Sequence, residues 1–157
     1  MQIRNRVVVV VALALFGTGL TACATANGHT TGNSNADTST AAESESTKAA
    51  IGVRKPKHVG VALMTADQML SGQATQSADQ FTLVTCGPAI RALGTDSKFA
   101  DRVREGLEAG VEIKACGVTV ERMGFDKSTF IDGVEVVPNG FVELLRLQEE
   151  GFHTIEL

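Results

Sequence analysis

Two short apolar runs end in the same way, and that ending constrains the fold more than any other feature of the chain. Phe81–Thr85 (FTLVT) passes into Cys86-Gly87-Pro88, and Val111–Ala115 (VEIKA) passes into Cys116-Gly117. Runs of this length and composition read as strands, the second preceded by Gly110 and followed by Gly117. Each is followed at once by a helix start. Pro88 fits a first helical turn, where its missing N–H costs nothing, and Val118–Met123 reads as the opening turns of a helix. A strand that hands directly to a helix, twice over, argues for a parallel sheet. Both cysteines then lie at strand C-termini, the edge where open α/β sheets place their ligands.

The other segments extend the pattern. Val59–Met64 (VGVALM) reads as a strand covered on both faces, opening a folded domain at residues 57–157. Ala66, Met69 and Leu70 allow a short helix after it, while Gly72 and a polar tail argue against a long one. Asp96 suits the N-cap of a helix over Ser97–Ala109, with Phe99, Val103 and Leu107 as its stripe and Gly110 as its stop. Asp126 starts a turn within Phe125–Asp132, and Val134–Val137 is a short strand. Asn139 caps a helix over Phe141–Glu150, with Phe141, Leu144 and Leu145 toward the sheet. Phe152–Leu157 closes the chain as a strand. The expected fold class is therefore α/β, a mainly parallel sheet of about five strands with helices on both faces.

The N-terminus reads as an export signal. Residues 1–22 carry Arg4 and Arg6, no acid, and an unbroken apolar core over Val7–Phe16, well short of the roughly 20 residues that span a bilayer. Leu20-Thr21-Ala22-Cys23 resembles the lipobox of bacterial lipoproteins, which implies cleavage before Cys23 and its lipidation. The alternative is an ordinary cleaved signal with a chance cysteine. Residues 23–56 form the expected tether: from Ala24 to Ala50 there is no Val, Ile, Leu, Met or Phe, too little apolar surface to offset ordering entropy. His29 lies within it and reads as solvated. The expected place is the bacterial cell envelope, lipid-anchored and facing the periplasm. The net charge of −4 and the lack of a basic cluster exclude a nucleic-acid surface.

Cys116 is the first candidate for chemistry. The helix start facing it favours thiolate over thiol, and Gly117 leaves room for a substrate sulfur to approach the backbone. Lys114 is given no electrostatic role at the thiol. The plain alternative is that Cys116 is a small buried hydrophobe. Cys86 shares its edge, and neighbouring strands about 4.8 Å apart would bring the two within disulfide reach. Three states stay open: a persulfide-accepting thiol, a redox-active pair, or a static disulfide. Cys86 taken alone reads first as an inert buried residue. Met64, placed at the end of the first strand, would complete a soft Cu(I)-type set with the cysteines. His58 and His153 start their strands and belong to the opposite edge. With no Cys-x-x-Cys and no His-x-x-x-His, no metal or other cofactor is expected.

KACGVTVERMGF followed by GVEVVPNGFVELLRLQEEGF resembles the DsrE/DsrF-like family of sulfur-relay proteins. The shared features are Ala-Cys-x-x-Thr opening a helix, a glycine after it, a Val-Val-Pro turn and a Leu-Gln-x-x-Gly helix end. The resemblance covers Phe81–Leu157 well and Lys57–Gln80 poorly. It implies a three-layer α/β/α sandwich, assembly into homo-trimers or hexamers, and a persulfide carried on the cysteine matching Cys116, exchanged with a sulfur donor and acceptor. Many relatives have His where this chain has Cys86, and their long first helix looks reduced here. Against this sulfur-handling reading stands a non-catalytic binding or assembly module with inert cysteines.

Overall fold

The computed structural model describes residues 46–157. The signal segment, Cys23 and most of the expected tether lie outside the described residues. Five strands form one sheet in the order β4-β3-β2-β1-β5, every neighbouring pair parallel. They are β1 (Lys48–Val53), β2 (Gln80–Thr85), β3 (Glu112–Cys116), β4 (Glu135–Val137) and β5 (Phe152–Glu156). Four α-helices connect them: α1 (Pro56–Leu70), α2 (Ala100–Glu108), α3 (Gly117–Met123) and α4 (Gly140–Glu149), with a 3₁₀ segment over Gly87–Leu93. Among the described residues no helix is long and apolar enough to cross a membrane.

The first strand is not where the sequence places it. VGVALM belongs to α1, and the strand is Lys48–Val53, inside the stretch expected as tether. Val59, Ala62, Leu63 and Ala66 are buried at helical spacing, a stripe that a six-residue window does not reveal. Gly60 costs this helix about 1 kcal/mol relative to Ala. Burying Val59 or Leu63 alone offsets that at roughly 1.5–3 kcal/mol. β1 escapes notice because Ala49, Ala50 and Gly52 fill a central strand with small residues. They suit close helix approach: a Cβ on Gly52 would meet Leu144 Cδ1 at 2.8 Å. The long first helix thought reduced is present with 15 residues.

The layering follows from crossover handedness. From β1 to β4 the chain steps across the sheet in one direction, so right-handed connections put their helices on one face. Val59, Val103 and Val120 accordingly share a core with Ile51, Leu83 and Ile113. The connection from β4 to β5 steps back past three strands, so α4 lands on the other face, where Leu147 packs with Ala50, Val84, Cys86 and Cys116. Adjacent strands β3 and β4 thus send their chains to opposite faces. That is a topological switch point, and Cys116 ends β3 at it.

Two helices differ in detail from expectation. Asp96 does not cap α2; Ser97 Oγ accepts from the Phe99 N–H, and the helix starts at Ala100. In α4 the inward stripe is Gly140, Leu144 and Leu147, while Phe141 and Leu145 are exposed. Asn139 caps the helix as expected, its side chain accepting from the Phe141 N–H at 3.0 Å.

Candidate functional site

The β2–β3 ladder ends with Thr85 beside Ala115, and the next residue of each strand is a cysteine. Cys86 and Cys116 therefore sit side by side at the C-terminal edge, both on the α4 face. Both are free thiols and both are buried, 4% and 2% exposed. The Cys86 N–H donates to the Val53 carbonyl at 2.8 Å, so the end of β1 fixes its backbone.

The first residue of α4 closes over the pair. A Cβ on Gly140 would lie 2.5 Å from Cys86 Sγ, 3.0 Å from Cys116 Cβ and 3.1 Å from Val84 Cγ1. Only glycine lets the helix end come this near. Gly117 has a similar task on the other side: a Cβ there would meet the Val137 carbonyl oxygen at 2.9 Å. It packs the β3–α3 turn against the end of β4, where the Val118 N–H donates to the Pro138 carbonyl at 3.2 Å.

Burial pushes the Cys116 thiol up, but the Gly140 N–H, the Thr119 hydroxyl and N–H, and the Cys86 thiol together outweigh it, so its pKa is lowered. Two helix starts, of α3 and α4, thus lie beside one sulfur. Thr119 Oγ1 accepts from the Gly87 N–H at 3.0 Å, which leaves its own proton for the thiolate. Cys86 is pushed up to about 12, first by burial and then by the charge and hydrogen bond of Cys116, with Glu156 adding and Arg54 opposing. The pair titrates as a unit, and its first proton leaves from Cys116.

Thr119, Gly140, Arg54 and Glu156 were not expected as site residues. Thr119 had a local signal, a hydroxyl three positions after the cysteine in a helix's first turn. Arg54 and Glu156 follow and end strands that the sequence placed differently or left uncharged in function; their side chains pair at 3.8 Å. Lys114 shares the face of Cys116, two residues back on the strand. Its ammonium is engaged by Glu143 at 2.7 Å, Glu112 at 3.4 Å and Glu135 at 3.8 Å, which leaves it no free charge for the thiol.

The soft-metal set does not assemble. Met64 lies on α1, half-exposed, and was placed with the cysteines only through the misassigned strand. His58 also moves: it is in the first turn of α1, on the cysteine edge of the sheet, while His153 begins β5 at the opposite edge. Among the described residues no group of three or more His, Cys, Asp or Glu side chains is placed to hold a metal ion.

A five-stranded parallel α/β/α sandwich with a thiolate-favouring cysteine at its switch point defines the class of protein. The chain belongs to the DsrE/DsrF-like family, whose profile matches residues 70–157. Among solved structures it is similar to a protein of unknown function from Methanobacterium thermoautotrophicum, with a TM-score of 0.63 and 22% identity over 71% of this chain and 99% of that one. It is also similar to a conserved protein of unknown function from Bacteroides thetaiotaomicron, with a TM-score of 0.55 and 16% identity over 70% and 95% of the two chains. No curated protein matches. At these identities the solved structures speak for the fold alone.

Proposed function

We propose that the protein is an envelope-tethered sulfur carrier that accepts sulfane sulfur as a persulfide on Cys116. The observation that carries this reading is the placement of Cys116 at the C-terminal end of β3, as the residue before α3 and against the first residue of α4, where a Cβ on Gly140 would stand 3.0 Å from Cys116 Cβ; the lowered pKa of the thiol agrees with it. A thiolate is the nucleophile in sulfur exchange, and the adjoining helix starts favour it over the thiol. Family membership agrees with the chemistry. Burial of both thiols favours a second reading, a binding or assembly module with inert cysteines.

Mass spectrometry decides between them. Exposure of folded Cys86→Ala protein to inorganic polysulfide should add one sulfur atom per chain, mapped to the Cys116 peptide. The gain on that peptide should vanish in Cys86→Ala/Cys116→Ser. Sulfur uptake only after denaturation, or equal uptake without Cys116, would establish the inert module instead.

The tether is a separate part of the proposal. Lipidation at Cys23 would hold the domain at the membrane and expose it to an oxidising compartment. In cells fed a fatty-acid analogue, the wild-type chain should be labelled and Cys23→Ala should not; equal labelling of both would remove the anchor.

A further inference from the structure

Cys86 has no evident part in accepting sulfur, yet it is placed with more constraint than packing alone requires. Its backbone is bound to the end of β1. Its strand neighbours β3 in register up to Thr85 and Ala115, so the two cysteines occupy adjoining positions. Cys86 Sγ and Cys116 Cβ both lie within 3.0 Å of a single point beside Gly140. Neighbouring strands about 4.8 Å apart fall inside the Cα separation that a disulfide spans.

We propose that Cys86 is a resolving thiol, so that sulfur taken up by Cys116 is discharged on the spot as hydrosulfide and the pair closes to a disulfide. The inference rests on the sulfur-accepting reading above and assigns the fate of the sulfur. In the first step the Cys116 thiolate attacks a terminal sulfane sulfur of a polysulfide; its S–S bond breaks and the shortened polysulfide leaves with the electron pair. In the second, the Cys86 proton passes to the outer sulfur of the Cys116 persulfide, and the Cys86 thiolate so formed attacks the inner sulfur. The persulfide S–S bond breaks, the Cys86–Cys116 bond forms, and the proton of Cys86 departs on the hydrosulfide. The sulfane sulfur is reduced by two electrons and the two thiols are oxidised by two. An external dithiol restores the pair by exchange.

The electrostatics suit this order of events. Before uptake Cys86 is the protonated member, its pKa raised by burial and by Cys116 while that of Cys116 is lowered. It therefore holds a proton for the leaving sulfur and does not compete for the polysulfide. Once Cys116 carries the extra sulfur, negative charge moves to the outer atom, and the repulsion that kept Cys86 from acting as a nucleophile weakens. Burial of the pair favours a small inorganic polysulfide as substrate over a protein-borne persulfide.

The test uses the full-length reduced chain, anaerobic inorganic polysulfide at neutral pH, sulfide measurement and peptide mapping, which separates Cys23 from the pair. Wild type should release one sulfide per chain and yield a Cys86–Cys116 linked peptide that dithiothreitol opens. Cys86→Ala should release none until a thiol is added, and should keep one sulfur on Cys116. A wild-type chain that retains the persulfide without the cross-link, or cross-links without releasing sulfide, overturns the resolving role and leaves sulfur acceptance standing. Failure of both chains to take up sulfur overturns both readings.

Discussion

Replacing Gly140 by alanine is expected to cost about 2–3 kcal/mol of folding stability, near the upper end for overpacking a close contact, and to raise the pKa of Cys116. The new methyl carbon would stand 2.5 Å from Cys86 Sγ, 3.0 Å from Cys116 Cβ and 3.1 Å from Val84 Cγ1. Those three atoms belong to adjacent strands held on both sides, so the start of α4 has to retreat. Intrinsic propensity pushes the other way: alanine is favoured over glycine in helices by about 1 kcal/mol. The sign of the change therefore reports which effect wins, and contacts this short favour the clash. Retreat of α4 also withdraws the Gly140 N–H, which after burial is the leading influence on the Cys116 thiol. Urea unfolding and a thiolate absorbance titration measure the two consequences. A variant as stable as wild type with an unchanged titration would show that α4 does not press on the pair.

The cysteine edge was legible because it is written locally. Cys86 and Cys116 each end an apolar run and each precede a helix start, and neighbouring strands follow once β2 and β3 pair. The identity of the first strand was not legible for a matching reason. Ala49, Ala50 and Gly52 are small because helices approach both faces of a central strand, yet in sequence they look like the alanine-rich tether before them. VGVALM has the composition of a buried strand, and its helical stripe appears only when Ala62, Leu63 and Ala66 are counted with Val59. Composition in a six-residue window cannot separate these cases.

Gly140 illustrates the limit at the site. In Pro138-Asn139-Gly140 a glycine reads as turn chemistry, but Gly140 is not among the residues with positive φ. Its requirement is space beside Cys86, a residue more than fifty positions earlier. Thr119 is similar: its partner, the Gly87 N–H, lies across the β2–β3 edge. Local pattern placed the candidate thiol at the strand end and missed the groups around it, because those arrive through long-range pairing. Lys114 shows the same in reverse, since alternation puts it on the face of Cys116 while Glu143 on α4 claims its charge.

That ion pair carries the other large effect. Glu143→Ala is expected to destabilise the domain by about 3 kcal/mol, the scale for stranding a buried charge, whereas Lys114→Met should cost about 1 kcal/mol or less. Lys114 is 7% exposed and lies 2.7 Å from Glu143. Among the described residues, its ammonium without Glu143 keeps only Glu112 and Glu135, whose side chains are 64% and 65% exposed. Without Lys114, Glu143 still has Arg146 at 2.7 Å, and methionine fills the buried stem. The asymmetry has a pH signature. The Arg146 hydrogen bond foremost, against the opposing effect of burial and with help from Lys114, holds the Glu143 carboxyl down at about 2, from 4.5. A depressed carboxylate contributes stability that is complete above its unfolded value and is lost as pH falls through the folded one. The stability gap between wild type and Glu143→Ala should therefore be constant above about pH 5 and narrow steadily from there to pH 2. Chemical denaturation at a series of pH values measures it. A gap that does not change with pH, or equal losses from the two substitutions, would mean that Lys114 draws its compensation from the exposed carboxylates and that α4 is held to the sheet by its apolar contacts alone.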